Sequence, residues 1–209
     1  MKTMHAVMML CLAGCAAAPA TEQAAAPAPA SPAVEAAQQA QDETMVAAGF
    51  GTLRQEEITV SVRSDQLLVK VTPIAEPLIR LLAPDTYERL NAIAESRRAG
   101  LEPGVREPEL FLVSFFSYQP DVVFLAEDLQ LSYQGRLMQA ERILPLTTGW
   151  GRQRLDQRET QSAVYVFEGP IDYRQPVTVR YGMQSSDEWS SIARKLETER
   201  GKVRARSGS

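Results

Sequence analysis

Ile58-Thr59-Val60-Ser61-Val62-Arg63-Ser64-Asp65-Gln66-Leu67-Leu68-Val69-Lys70-Val71 is the stretch on which the fold turns. Ile58, Val60 and Val62 alternate with Thr59, Ser61 and Arg63, Ser64-Asp65 gives a turn signal, and Leu67, Val69 and Val71 alternate again. Successive strand side chains point to opposite faces, so a period of two on both sides of a short polar break predicts a β-hairpin with one buried face.

The period then changes. Leu78, Leu81 and Leu82 precede Pro84, and Tyr87, Leu90, Ile93 and Ala94 fall on one helical face that ends at Arg97-Arg98-Ala99-Gly100. Proline suits the first turn of a helix and interrupts an earlier one. The pattern therefore predicts a short helix, a break at Ala83-Pro84 and an amphipathic helix of about four turns. Leu101 to Pro108, with Pro103 and Gly104, reads as a loop.

From Glu109 the chain reads as strands. Leu110 to Phe116 is nearly continuous apolar sequence, as in a central strand buried on both faces. Val122 to Phe124, Leu129 to Tyr133, Leu137 to Leu146 (interrupted at Glu141-Arg142), Ala163 to Phe167 and Val177 to Tyr181 follow between turn signals. Ser186 to Glu199 carries Trp189, Ile192 and Leu196 on one helical face, with Ser185 or Ser186 as the cap. The expected class is α+β, mainly β: an antiparallel β-sandwich with a helical insertion after the first hairpin and a C-terminal helix. An immunoglobulin-like topology is the analogy that the strand count suggests. The domain is expected to span residues 42–199, with residues 200–209 a disordered basic tail. Residues 194–209 carry six basic and two acidic side chains in a chain of net charge −4, which leaves −8 on the rest. That tail reads either as a contact for peptidoglycan or anionic lipid or, more economically, as a helix end whose positive charge suits the dipole. The overall charge is too modest to imply a nucleic-acid partner.

The N-terminus carries a different signal. Met1 to Gly14 has one formal charge, at Lys2, an apolar run from Ala6 to Ala13, and small residues ahead of Cys15. This is the layout of a short secretory signal, and the run is too short to span a bilayer. Leu12-Ala13-Gly14-Cys15 resembles the lipobox of bacterial lipoproteins. The resemblance implies cleavage before Cys15, a thioether-linked diacylglycerol on its sulfur and N-acylation of the new amino group, two anchors that suffice for stable attachment. Cys11, preceded by Met8-Met9-Leu10, does not fit that pattern. Ala16, where an inner-membrane retention signal usually has Asp, implies the outer membrane, with the domain facing the periplasm and surface exposure left open. A plain secretory signal cleaved elsewhere is the competing reading.

Between Cys15 and the domain, Ala16 to Gln41 holds thirteen alanines, four prolines and no aromatic residue. It buries too little apolar surface to offset its ordering entropy, so residues 15–41 read as a lipidated tether reaching ~30 Å as a coil and ~80 Å if extended. Glu35 to Ala48, rich in helix formers, reads equally as a helix leading into the domain.

Composition then restricts the chemistry. The only histidine is His5, inside the segment expected to be removed, and Cys15 is the only cysteine that would survive processing. A mature chain of that composition has no Ser-His-Asp triad, no His- or Cys-ligated metal, no thiolate nucleophile and no disulfide. No cofactor is expected beyond the covalent lipid. The carboxylate pairs Glu127 with Asp128 and Asp156 with Glu159 are candidates for glycosidase chemistry only in the sense that any acidic loop is. Lys70, the lysine a Ser-Lys site would need, falls on the polar face of a strand.

Gly149-Trp150-Gly151 followed by Arg152, Arg154 and Arg158 lacks the third glycine of a dinucleotide loop and the GK[ST] of a P-loop. These four side chains form the candidate binding surface, suited to an anion, a sugar or a peptide. The more economical alternative has Trp150 plugging the end of the sandwich, with the arginines paired to Asp156 and Glu159. The sequence thus points to a non-enzymatic, membrane-anchored binding or assembly module with an envelope protein or peptidoglycan as partner. A carboxylate-dependent enzyme acting on envelope glycans is the alternative.

Overall fold

A computed structural model describes residues 46–101 and 108–207. The signal-like segment, Cys15 and the alanine- and proline-rich stretch lie outside the described residues. So does most of the loop expected between Leu101 and Pro108.

The decisive hairpin forms as β1 (Val60–Arg63) and β2 (Leu67–Pro73), paired antiparallel with Val60 opposite Val71 and Val62 opposite Val69. Ile58 ends a 3-10 turn (Gln55–Ile58) just ahead of β1 and is wholly buried. The chain then makes the short helix α1 (Glu76–Ile79) and α2 (Pro84–Arg98), with proline in the first turn of each. The strands β3 (Glu109–Ser117), β4 (Val122–Val123), β5 (Leu129–Tyr133), β6 (Arg136–Gln139) and β7 (Arg142–Pro145) follow. The remainder is β8 (Arg154–Leu155), β9 (Thr160–Phe167), β10 (Val177–Tyr181), β11 (Gln184–Ser186) and the helix α3 (Trp189–Ser207). The fold is α+β, built on antiparallel sheets with a C-terminal helix.

A five-stranded sheet has the order β1-β2-β3-β9-β7, a four-stranded sheet the order β11-β10-β5-β6, and β4 pairs with β8 alone. The first three strands lie side by side in one sheet, whereas in the immunoglobulin order the third strand crosses to the other. The strand order is therefore not the immunoglobulin one. The charged break seen at Glu141-Arg142 marks a change of sheet: β6 pairs with β5, and β7 pairs with β9 in the other sheet.

Register assigns the faces of the large sheet. Val60, Val62, Val69, Val71, Phe111, Val113, Phe115, Ala163 and Tyr165 share one face and are all buried. This face meets the second sheet. Phe115 stands edge-on to Tyr181 of β10 at 5.4 Å and stacks on Phe124 at 4.5 Å, and the Tyr165 hydroxyl donates to the Ala126 carbonyl at 2.8 Å. On the opposite face Leu110, Leu112, Val164 and Val166 are also buried, in one core cluster with Leu78, Ile79, Leu81, Leu82, Leu90 and Ala94 of the helical segment. Covering on both sides explains why β3 reads as a continuous apolar run. Side-chain bonds from Arg89 to Gln55 and from Arg97 to the Pro145 carbonyl hold α2 alongside the sheet.

The C-terminal helix differs from its expectation at both ends. Gln184–Ser186 is spent on the edge strand β11, so the helix begins at Trp189 rather than Ser186. It then runs past Glu199 to Ser207, where the composition predicts a disordered tail from residue 200. Val203 is wholly buried, and the buried carboxylate of Glu199 lies 3.7 Å from Lys202, one turn on, and binds Arg206 at 2.9 Å, two turns on. The extra turns therefore have both an apolar anchor and ion pairs.

Glu199 does more than hold its own helix. It also accepts from the Thr52 amide at 3.1 Å and the Thr52 hydroxyl at 2.8 Å, and Arg206 donates to the Phe50 carbonyl. On its other side the segment bonds to the helical insertion through Leu53 N to Leu81 O at 3.2 Å and Ala83 N to Leu53 O at 2.8 Å. A Cβ at Gly51 would lie 2.2 Å from the Leu81 carbonyl carbon and oxygen, so only glycine permits this approach. No helix among the described residues is long and apolar enough to cross a membrane.

Candidate functional site

The structure does not bring Trp150 to the surface. A 3-10 turn (Trp150–Arg152) directs it inward, where it is 6% exposed and edge-on to Phe115, Phe124 and Tyr165 at 5.8, 5.2 and 6.3 Å. Its indole contributes apolar area rather than a stacking platform. Arg152, Arg154 and Arg158 are exposed. Arg152 lies 3.8 Å from Glu159, and Arg154 binds Asp121 across the β4–β8 pair. Asp121 supplies the hydrogen bond and charge that push Arg154 further up. Arg158 occupies a left-handed turn position, with φ of 62°.

The carboxylate pairs are equally specific in their placement. Glu127 and Asp128 sit exposed in a 3-10 turn (Ala126–Asp128). Glu159 accepts from the Asp156 amide at 2.7 Å and from the Gln161 side-chain amide at 2.9 Å. Those bonds, with the Arg152 charge, outweigh desolvation and hold its carboxyl below the usual range. A glycosidase acid requires a raised value, so Glu159 is tuned away from that role. Lys70 is exposed on the large sheet, registered between Ser61 and Ser114, and the Ser114 hydroxyl is bonded to that of Ser162 at 2.8 Å. Among the described residues no group of three or more His, Cys, Asp or Glu side chains is placed to hold a metal.

A formed cavity lies elsewhere, between α3 and the loop joining β9 to β10. It has a volume of about 420 Å³, within the usual range of small-ligand sites. Leu78, Tyr173, Pro176 and Leu196 supply apolar lining, and Arg174, Arg194, Arg200 and Glu197 supply charge. The loop wall is fixed from several directions. Trp189 Nε1 donates to the Tyr173 carbonyl at 3.0 Å, and the Tyr173 hydroxyl donates to Glu109 at 2.6 Å. Burial, followed by the neighbouring Glu109 charge and hydrogen bond, pushes the Tyr173 phenol far up, so it stays a neutral donor. Asp172 accepts from both the amide and the guanidinium of Arg174 at 3.0 Å. Burial raises the Asp172 carboxyl, but these bonds and the Arg174 charge prevail and leave it low.

The helix wall follows from periodicity. Ser190, Ala193 or Arg194, Glu197 and Arg200 recur at three- and four-residue intervals and face the cavity, flanking the buried stripe of Ile192, Leu196 and Val203. The Arg200 side chain is only 11% exposed; one terminal nitrogen binds Glu197, whereas its buried Nε has no hydrogen-bond partner. Buried guanidinium donors are ordinarily satisfied. The sequence period predicts the buried stripe of this helix but not its cavity-facing row. The neighbouring row, with small Ala193 between charged positions, was the available signal, but its partner Arg174 comes from a distant loop.

No protein-family model, no curated protein and no solved structure matches this chain.

Proposed function

We propose that the protein is an envelope lipoprotein, anchored through Cys15 to the outer membrane and facing the periplasm, whose folded domain is a non-enzymatic binding or assembly module. The observation that carries the binding role is the preformed cavity between α3 and the β9–β10 loop, where three arginines and an apolar floor meet with no nucleophile and base side by side among its lining residues. The anchor rests on the Leu12-Ala13-Gly14-Cys15 signal and the alanine- and proline-rich composition that follows it. The expected partner is an envelope protein or peptidoglycan.

Two measurements test the two halves. Intact mass of the mature protein should show diacylglycerol and N-acyl additions on Cys15, and Cys15→Ser should release the protein from the membrane fraction. An unmodified N-terminus refutes the anchor. A photo-crosslinker at Gln175, on the cavity rim, should trap one envelope protein, or the chain should co-sediment with purified sacculi. Neither result in intact envelopes refutes the module.

A further inference from the structure

We propose that the cavity between α3 and the β9–β10 loop is an oxyanion site for a small ligand that carries a carboxylate or phosphate on an apolar group. This rests on the binding-module reading and adds the chemical class of the ligand.

Charge, shape and an unfilled donor point the same way. Among the lining residues Arg174, Arg194 and Arg200 face a single carboxylate, Glu197. Arginine is suited to this role because its planar fork matches carboxylate and phosphate oxygens. Arg200 is the central group: it is almost buried, it is held through one nitrogen by Glu197, and its Nε is unpartnered. Glu197 in turn is 64% exposed on its side chain, and the Arg174 guanidinium is favoured first by its hydrogen bond and charge to Asp172 through Nε and only then by the Glu197 charge. Such an exposed carboxylate, paired with a largely buried arginine, is one that a ligand oxyanion can replace. A ligand oxyanion that displaces it regains the Arg200 bonds and adds those of Arg174, while Glu197 swings into water. Leu78, Tyr173, Pro176 and Leu196 then cover the apolar part. The bulk of the cavity exceeds what a lone phosphate or acetate fills, so an inorganic ion leaves the apolar floor wet.

Calorimetric titration of the full-length purified chain with four probes tests this: phenylacetate, phenyl phosphate, inorganic phosphate and the neutral 2-phenylethanol. At least one of the two aromatic oxyanions should bind, more tightly than inorganic phosphate, with 2-phenylethanol silent at the same concentration. Comparison of the first two separates carboxylate from phosphate ligands. Loss of charge-assisted bonds should weaken the better probe by about tenfold or more in Arg200→Gln and in the exposed Arg174→Gln. Removal of the competing carboxylate in Glu197→Gln should instead tighten it, an outcome that a purely structural role for these residues does not produce. Equal binding of neutral and anionic probes, silence of all four, or weakening in Glu197→Gln overturns the oxyanion site. A trapped envelope partner alongside any of those results leaves the binding module standing.

Discussion

Replacing Glu199 by Gln keeps the shape of a buried side chain and removes its charge. The carboxylate is 2% exposed and accepts from the Thr52 amide and hydroxyl and from Arg206, with Lys202 close by. Hydrogen bonds to charged groups contribute about 1.5–3 kcal/mol each, roughly twice their neutral counterparts. Gln retains neutral bonds to Thr52, and the Arg206 and Lys202 side chains, 37% and 61% exposed, recover water. The net loss should therefore be about 2 kcal/mol at neutral pH, or ~4–8 °C in melting temperature for a domain of this size. Burial raises the Glu199 carboxyl, yet its bonds to Arg206 and Thr52 and the charges of Arg206 and Lys202 prevail and leave it below its ordinary value. A carboxyl depressed in the folded state stabilises above its unfolded pKa, about 4.3 for Glu, and loses that contribution as pH falls through the folded value. The stability gap between wild type and Glu199→Gln should be full at pH 7 and close under acid. Urea denaturation followed by Trp150 and Trp189 fluorescence across pH 3–8 measures it. Equal stabilities at pH 7, or a gap undiminished at pH 3, refute the reasoning.

Gly51→Ala places a Cβ against the Leu81 backbone, where neither partner is a flexible side chain, and should cost about 1–3 kcal/mol, or more, in chemical denaturation. Trp150→Ala empties the aromatic cluster around Phe115 and Phe124, and the expected loss is about 3–5 kcal/mol by the same assay. Tyr165→Phe should lose about 1 kcal/mol, since the Ala126 carbonyl is left without its donor; an unchanged midpoint shows that this bond carries no net stability. Arg154→Ala, by contrast, removes an exposed pair and should leave the melting temperature unmoved at physiological salt.

The parts of the fold that were legible are those governed by local period. The hairpin at Ile58–Val71, the break at Pro84 and the central strand Leu110–Phe116 each carry their signal in adjacent residues. What escaped depends on distant partners. Residues 200–207 look like a solvated basic tail until Thr52 and Phe50 are brought against Glu199 and Arg206, residues about 150 positions away. Gln184–Ser186 becomes a strand only because β10 offers an edge. At Trp150 the more economical reading, an indole plugging the end of the sheets, agrees with its burial, but its partners Phe115, Phe124 and Tyr165 are named by no local pattern. The arginine-lined cavity joins one helix row to a loop about twenty residues earlier in the chain, and sequence spacing does not show that the two face each other.

The helix α3 has one flank against the leading segment at Phe50–Thr52 and another against the cavity, through Arg194, Glu197 and Arg200. Tension applied to the chain ahead of Val46 is borne first where Arg80 holds the Val46 carbonyl, then by Glu199 at Thr52 and by the Leu53–Leu81 bond. Glu199 lies next to Arg200 in sequence. A pull on the N-terminal side of the domain thus loads the very helix that forms the cavity wall.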